Sequence, residues 1–364
     1  MIPSMHFEDV RVRAFRNLLS VDVSLAERCI FIVGDNAQGK SNFLEALFLL
    51  ARGFSPRGAR DAEVICFGEE AAFLRGKIGG EGNTFTKEVV VRRSGGKEWR
   101  VNGKRLRKEE PVWLTGYFPE DGAIVGGAPR DRRDFFDEAI SFLSPLYRQF
   151  LRDYEKVVER RNWLLREGKS REVVSVYTER MMGLALRIVE WRVKYIGVFG
   201  PLLGEVYRNI FGGGELRVRY RSEGYSWEEG IQEGLRKAWK MLEQEELERG
   251  MTLFGPHRDE FLFLLGDREV RDFASQGEKK GVALALRLSE MEVMKRSKKG
   301  RVVVLLDDLF SEFDEKRRDL VLKAVWEGNQ VVVTTTEKDV AERLGKELGA
   351  WGFTMEGGQM ERWW

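Results

Sequence analysis

The chain has 364 residues, 43% hydrophobic and 33% charged, with 61 Lys plus Arg against 59 Asp plus Glu. That is enough to bury a sizeable core in two domains or one bilobed domain, so an ordinary soluble protein is expected. The formal charge of +2 removes any whole-chain argument for a nucleic-acid partner and leaves only local patches to carry one. The two cysteines, Cys29 and Cys66, sit beside apolar residues without metal-like spacing and fit buried thiols in a reducing cytosol. The N-terminus "MIPSMHFEDVRVRAF" lacks the apolar core of a signal peptide, and no run reaches membrane-spanning length, so a cytoplasmic protein with no membrane partner is expected.

In chain order, "EDVRVRAFRNLLSVDVSLAERCIFIVG" alternates apolar and polar residues around Val10, Val12, Val21, Val23 and Leu25, then runs apolar from Ile30 to Val33. This predicts an edge hairpin leading into a buried central strand. Phe43, Leu44, Leu47, Phe48 and Leu50 then recur at helical spacing, so strand, glycine loop and helix follow without a gap. "KEVVVRRSGGKEWRVNGKRLRK", Lys87 to Lys108, has two turn signals between β-rich segments and predicts an antiparallel layer with a basic face. Arg92, Arg93, Lys97, Arg100, Lys104, Arg105, Arg107 and Lys108 lie on it, with Trp99 interleaved. Such a face is either solvated or a phosphate-contacting surface whose binding is salt-sensitive and reads few bases.

From Phe135 to about Gly250 the pattern is helical. Ser144-Pro145 reads as a cap with proline in the first turn, followed by a stripe through Tyr147, Phe150, Leu151, Tyr154, Val157, Val158 and Leu165. A second helical segment covers Val173 to Ile210, and a third is expected to begin at a capping box, Ser226 with Glu229. The β pattern returns in "DEFLFLL" and "REVRDFAS". "RVVVLLDD" and "QVVVTTT" then read as buried parallel strands, with a helix from Glu315 to Trp326 between them. The expected organisation is an α/β core lobe, 1–117 with 299–364, and a mainly helical second lobe, 118–298.

"GDNAQGKS", Gly34 to Ser41, fits G-x-x-x-x-G-K-[ST] in the context that motif needs, after an apolar strand and at the start of a helix. Backbone N–H groups there approach phosphates, Lys40 reaches the β and γ oxygens, and Ser41 offers a hydroxyl to magnesium. Asp307 and Asp308 end an apolar strand; the first is the expected holder of Mg2+, and the second is placed to polarise an attacking water. "FASQGEKKGVALALRL" offers a third feature, a Ser275-Gln276-Gly277 turn opening an apolar helix, where free N–H donors and a partial positive charge favour an anion. By itself that turn is an ordinary helix start.

The order of these features resembles the ABC and SMC class of ATPases, in which two heads sandwich two nucleotides and the serine-glycine turn of one touches the γ-phosphate held by the other. The resemblance is specific to the RecF family, bacterial ATPases of recombinational DNA repair. It is carried by "FRNL", "GDNAQGKSNFLEAL", "FPEDGAIVGGAPRDRRDFFDE", "ERRNWLL", "GPHRDE", "FASQG", "LLDDLFSEFDEKRR" and "VVVTTT", spread through nearly the whole chain.

It implies an ABC-type head without coiled-coil arms and a DNA-binding, ATP-dependent homodimer that hydrolyses ATP slowly and works with RecO-like and RecR-like mediators on gapped or junction DNA. It also implies residue roles. Gly34, Asn36, Ala37, Gln38, Gly39, Lys40, Ser41 and Asn42 would cradle ATP, with Arg16 approaching the α-phosphate. Lys40 and Asp308 would be catalytic, and Ser41 and Asp307 would hold the metal. Ser275, Gln276 and Gly277 would act across the dimer, Ser311 and Asp314 would form the D-loop, and Thr335 or Thr336 would stand at the switch position. Arg92, Arg93, Lys97, Arg100, Lys104 and Arg105 are the candidate DNA contacts.

The chain departs from the family pattern at Glu278, where glutamine is usual, and at Pro56 and Gly58. An SMC-type chromosome or break-repair head, a transporter subunit and a non-hydrolysing ATP-binding scaffold are the alternatives; the helical insert is short for SMC arms, and no switch histidine is present for a transporter.

Overall fold

The computed structural model describes residues 5–80, 83–106, 112–227, 230–298, 302–326 and 328–363. The chain forms two compact units, 1–121 with 209–211 and 280–364, and 122–208 with 212–279.

The first unit opens with strands β1 (His6–Phe15), β2 (Leu18–Ser24) and β3 (Cys29–Val33) and helix α1 (Lys40–Arg52). Strands β4 (Ala71–Gly80), β5 (Asn83–Arg92), β6 (Lys97–Val101), β7 (Lys104–Leu106) and β8 (Leu114–Tyr117) follow. β1, β2 and β4 to β7 make an antiparallel six-stranded sheet in the order β2-β1-β4-β5-β6-β7. Helix α1 is buried almost all round, from Phe43 to Arg52, and meets strands of both sheets of this unit. A helix covered on every side needs apolar residues beyond one stripe, which "NFLEALFLLA" supplies.

The second unit holds α2 (Gly122–Gly126), α3 (Pro129–Leu143), α4 (Pro145–Arg166) and most of α5 (Arg171–Phe211). It continues with β9 (Leu216–Arg221), α6 (Ile231–Arg249), β10 (Glu260–Leu265), β11 (Arg268–Glu269) and α7 (Val270–Phe273). Ser144 caps α4 by accepting from the Tyr147 N–H at 3.3 Å, as its position before Pro145 predicts.

Two expectations fail here. Helix α6 starts at Ile231 with Gly230 as its cap, not at Ser226, and Glu229 lies outside the described residues. "REVRDFAS" is a two-residue strand running into the four-residue α7, too short for the β segment its composition suggests.

The "GPHRDE" segment is the polar keystone of this unit. Arg132 grips Glu260 with two hydrogen bonds, at 2.8 and 3.1 Å, in the interior. Asp259 accepts from the hydroxyls of Tyr220 and Tyr225, and its carbonyl takes Arg133. His257 hydrogen-bonds the Tyr154 hydroxyl at 2.6 Å, and burial pushes its imidazole down to about 4, so it is neutral at physiological pH. Of the three arginines at the start of α3, only Arg130 faces solvent, paired with Asp134.

Helix α8 (Gln276–Lys298) crosses from the second unit into the first, and the chain ends with β12 (Val303–Leu306), α9 (Leu309–Glu312), α10 (Glu315–Trp326), β13 (Gln330–Thr335), α11 (Lys338–Leu348), β14 (Trp351–Glu356) and β15 (Gln359–Arg362). The boundary expected near 298 is therefore displaced to Lys280. The cause is a buried charge ladder: Arg287 donates to Asp121 at 2.7 Å and to Glu290 at 3.1 Å, and Glu290 accepts from Thr115 and pairs with Arg52. These contacts hold most of α8 in the first unit.

The second sheet has the order β15-β14-β3-β13-β12-β8, parallel except for β15. Strands β3, β12 and β13 are buried along their whole length, as their unbroken apolar runs require. Both cysteines are free thiols, Cys29 buried and Cys66 only partly so. No helix among the described residues is long and apolar enough to cross a membrane.

Candidate nucleotide site

Strand β3 delivers the chain to Gly34, whose N–H donates to the Thr335 carbonyl at 3.3 Å. No side chain fits there, because a Cβ would lie 2.2 Å from the Met355 carbonyl oxygen. Ala37 and Gly39 take left-handed φ values of 65° and 114°, which turn the loop so that α1 can begin at Lys40. Distant segments brace it: Asn17 donates to the Ala37 carbonyl, and the Gly357 and Gly358 amides donate to Gln38 at 2.7 and 3.0 Å. Asn42 reaches Asn17 at 2.8 Å.

The Lys40 ammonium folds back over this frame, donating to the carbonyls of Gly34 at 2.6 Å and Asp35 at 2.8 Å. Burial lowers its pKa, and the carboxylates of Asp308, Asp307 and Asp35 oppose that shift.

Strands β12 and β13 supply the acidic side. Asp307 Oδ1 accepts from the Ser41 hydroxyl at 2.9 Å and the Thr334 hydroxyl at 2.7 Å. Burial raises the Asp307 carboxyl, and these two donors counter it. The Asp308 N–H donates to Thr334 at 2.9 Å, so one threonine hydroxyl ties both aspartates together.

Asp308 itself sits at φ 49°, a left-handed position that a non-glycine residue adopts at a cost. Ser311 donates to its Oδ2 at 2.7 Å, while Oδ1 is buried without a hydrogen-bond partner. Ser41, Asp307 and this orphaned oxygen form a hard-oxygen set that suits Mg2+ and a polarised water. Among the described residues no group of three or more His, Cys, Asp or Glu side chains could hold a metal alone, so a magnesium here would take its remaining ligands from phosphate and water.

Three expected residues have partners of their own within the chain. The Arg16 guanidinium grips the buried Glu45 with bonds of 3.0 and 2.8 Å and donates to the Glu63 carbonyl. Thr335 is buried with its hydroxyl accepting from the Glu337 N–H, and Thr336 is the exposed one of the two threonines expected at the switch. Asp314 caps α10 through the Arg317 N–H at 3.0 Å.

Two residues were missed. Thr334 lay hidden in an apolar strand, and Glu45 in an apolar helix, where it also holds Ser55 and Arg57. Arg57 bridges further to Glu120 at 2.7 Å and Asn42 at 3.1 Å. Glu45 leaves one trace in the sequence, a lone charge inside an apolar run, whereas Thr334 is one of three consecutive threonines.

Ser275, Gln276 and Gly277 are all exposed at the start of α8. Glu278 closes a reciprocal capping box on Ser275: its Oε2 accepts from the Ser275 N–H and hydroxyl at 2.8 Å each, and its own N–H donates back at 3.3 Å. These bonds hold the Glu278 carboxyl below its ordinary value.

The RecF/RecN/SMC N-terminal domain family matches residues 6–356. The DNA replication and repair protein RecF of Halalkalibacterium halodurans is 34% identical over 92% of this chain and 94% of its own. The chain belongs to the RecF family. The RecF of Desulforudis audaxviator is also 34% identical, covering 92% of this chain and 95% of its own. The solved structure of the recombination mediator protein RecF-ATP in the RecFOR pathway superposes with a TM-score of 0.90 at 29% identity, covering 100% of this chain and 99% of its own. A Smc head domain from Pyrococcus furiosus, at 15% identity and TM-score 0.56 over 99% of this chain and 96% of its own, shares the fold. The architecture is thus the ABC-type head expected from the sequence, without long coiled-coil arms.

The basic layer of this RecF-family chain is less available than its composition suggests. Arg92 and Arg100 both pair with Glu98, Lys97 pairs with Asp61 at 2.7 Å, and Arg93 donates to the carbonyls of Glu69 and Cys66. Lys87 is buried over the half-buried Trp99 ring, 4.9 Å from its centroid, so that face of the ring is already occupied. Lys104 and Arg105 are exposed, and Arg107 and Lys108 lie outside the described residues.

Proposed function

We propose that this chain is an ATP-dependent DNA-binding protein of gap and stalled-fork repair, whose two copies close around two shared ATP molecules and clamp DNA until slow hydrolysis releases it. The observation that carries the reading is the junction of Ser41, Asp307 and Thr334 beside the orphaned Asp308 oxygen. Such an arrangement has no structural need for the unpaired atom and suits a nucleotide's metal and attacking water.

In this reading Lys40 exchanges its two loop carbonyls for β and γ oxygens, and the loop amides cradle the phosphates. Ser41 and Asp307 would hold a magnesium bound with ATP, which would supply charge neutralisation at the phosphates. Asp308 orients the attacking water through Oδ1. No side chain of this set is a strong base near neutrality, and a threonine stands at the switch position, which suits slow turnover.

Gly277 supports the two-headed arrangement. Its φ is ordinary and a Cβ there would meet nothing within 4 Å, so nothing among the described residues requires a glycine, whereas a phosphate approaching from a second head would. Ser275 and Gly277 would touch that γ-phosphate. The named RecFOR pathway of the ATP-bound relative supports RecO-like and RecR-like partners for this chain, and exposed Lys104 and Arg105 are its DNA contacts in this proposal.

The test is sedimentation of the full chain with and without Mg2+-ATP, with single-stranded, duplex and junction DNA at two salt concentrations. The expected result is association that needs ATP, and DNA binding that weakens with salt. Association indifferent to ATP and to Lys40→Met would sink the reading. Single-turnover hydrolysis with and without gapped DNA separates it from a non-hydrolysing scaffold.

A further inference from the structure

We propose that Lys280 and Glu312 form a relay within each chain that couples the two shared nucleotide sites, an inference that rests on the two-headed reading above. Lys280 lies on α8 about one turn beyond Gly277, and its ammonium is ion-paired with Glu312, the last residue of α9. Asp308 is the N-cap of α9, so the aspartate that would face the chain's own nucleotide and the carboxylate that grips α8 are about one helical turn apart.

A second contact runs beside the first. A Cβ at Gly281 would lie 3.0 Å from the Phe211 ring, so α8 abuts that ring closely, and Phe211 meets Phe313 at a centroid distance of 5.7 Å. On its other side the α9 segment is held by Arg318, which donates to the carbonyls of Phe310 and Phe313 and pairs with Glu337 at 3.0 Å, just past β13.

The α9 segment is therefore suspended between the start of α8 and the end of β13. The Glu312 side chain is 11% exposed and that of Lys280 44%, which places the pair at the border of the interior, where a charge pair couples more strongly than in open solvent. A shift of Asp308 when its water attacks passes through one helical turn to Glu312, then to Lys280, and so to the turn that holds the other copy's phosphate. Lys280 and Glu312 are positioning residues; neither touches nucleotide.

The experiment uses the full chain with Lys280→Met, Glu312→Gln and the charge swap Lys280→Glu with Glu312→Lys. Three quantities are read: binding of a fluorescent ATP analogue by dilute protein, ATP-dependent self-association by sedimentation, and the Hill coefficient for ATP in steady-state hydrolysis. Analogue binding stays at the wild-type level in all variants. Each single variant weakens association roughly three- to tenfold, in line with a partly buried ion pair, and brings the Hill coefficient toward one.

The swap restores both, which shows that the ion pair itself acts even where a single variant folds poorly; a lowered Hill coefficient at wild-type thermal stability and analogue binding is the change a merely structural pair would not produce. Wild-type association and cooperativity in the single variants overturn the relay, as does a swapped variant with wild-type thermal stability that restores neither. A wild-type chain that fails to associate with ATP overturns the two-headed reading and the relay with it.

Discussion

The phosphate loop and the serine-glycine turn are both glycine-containing helix starts, yet they are built in opposite ways. The loop from Gly34 to Ser41 is held by Asn17, Asp307, Thr335, Gly357 and Gly358, segments scattered from one end of the chain to the other. The hydrogen bonds at Ser275 come from within four residues, from Glu278 and the Lys279 N–H. A site fixed by long-range contacts is preorganised inside one molecule; a site fixed only by its own first turn presents donors outward and awaits a second surface.

That contrast can be broken most sharply on the loop side. Lys40→Met removes the ammonium that donates to the Gly34 and Asp35 carbonyls and should weaken ATP binding by more than about a hundredfold, read by calorimetry. Asp308→Asn should lower single-turnover hydrolysis by about 10²- to 10³-fold with ATP affinity little changed, since the proposed role of its orphaned oxygen is to orient the attacking water.

Asp307 links the loop to pH. Its carboxyl is raised by burial, so protons compete with the metal above the ordinary carboxylate range. Magnesium-dependent ATP affinity should therefore fall as pH drops through that raised value, and Asp307→Asn should flatten the profile.

Changes on the turn side should leave ATP binding intact and act on association. Ser275→Arg is expected to abolish ATP-dependent self-association in sedimentation while analogue binding by dilute protein is unchanged. Glu278→Gln frees the Ser275 hydroxyl and amide from a carboxylate and should tighten association several-fold.

The smallest effect is on stability. The lowered Glu278 pKa means that its cap stabilises the fold above the unfolded value and is lost as pH falls through the folded one. Wild type should lose a little thermal stability over that interval, and Glu278→Gln should not. A Gln variant that associates as wild type does would show that the carboxylate is no obstacle to a second head.

Motifs closed within a few residues were legible: the phosphate loop, the paired aspartates, the Ser144 cap and the apolar parallel strands all stand where local pattern puts them. Positions defined by a distant partner were not. Nothing local marks Glu45 as the partner of Arg16, or Asp61 and two loop carbonyls as partners of Lys97 and Arg93 in the basic hairpin. Thr334 was passed over because nothing in "VVVTTT" says which hydroxyl faces Asp307.

The sequence alone thus determined the family, the architecture and the nucleotide loop, since these rest on period, turn chemistry and order along the chain. Tertiary structure alone decided which charges are neutralised, which threonine joins the aspartates, and that α8 belongs mostly to the first unit. Charge pairing and hydroxyl direction depend on groups tens to hundreds of residues away, and a linear pattern holds no record of them until the chain has folded.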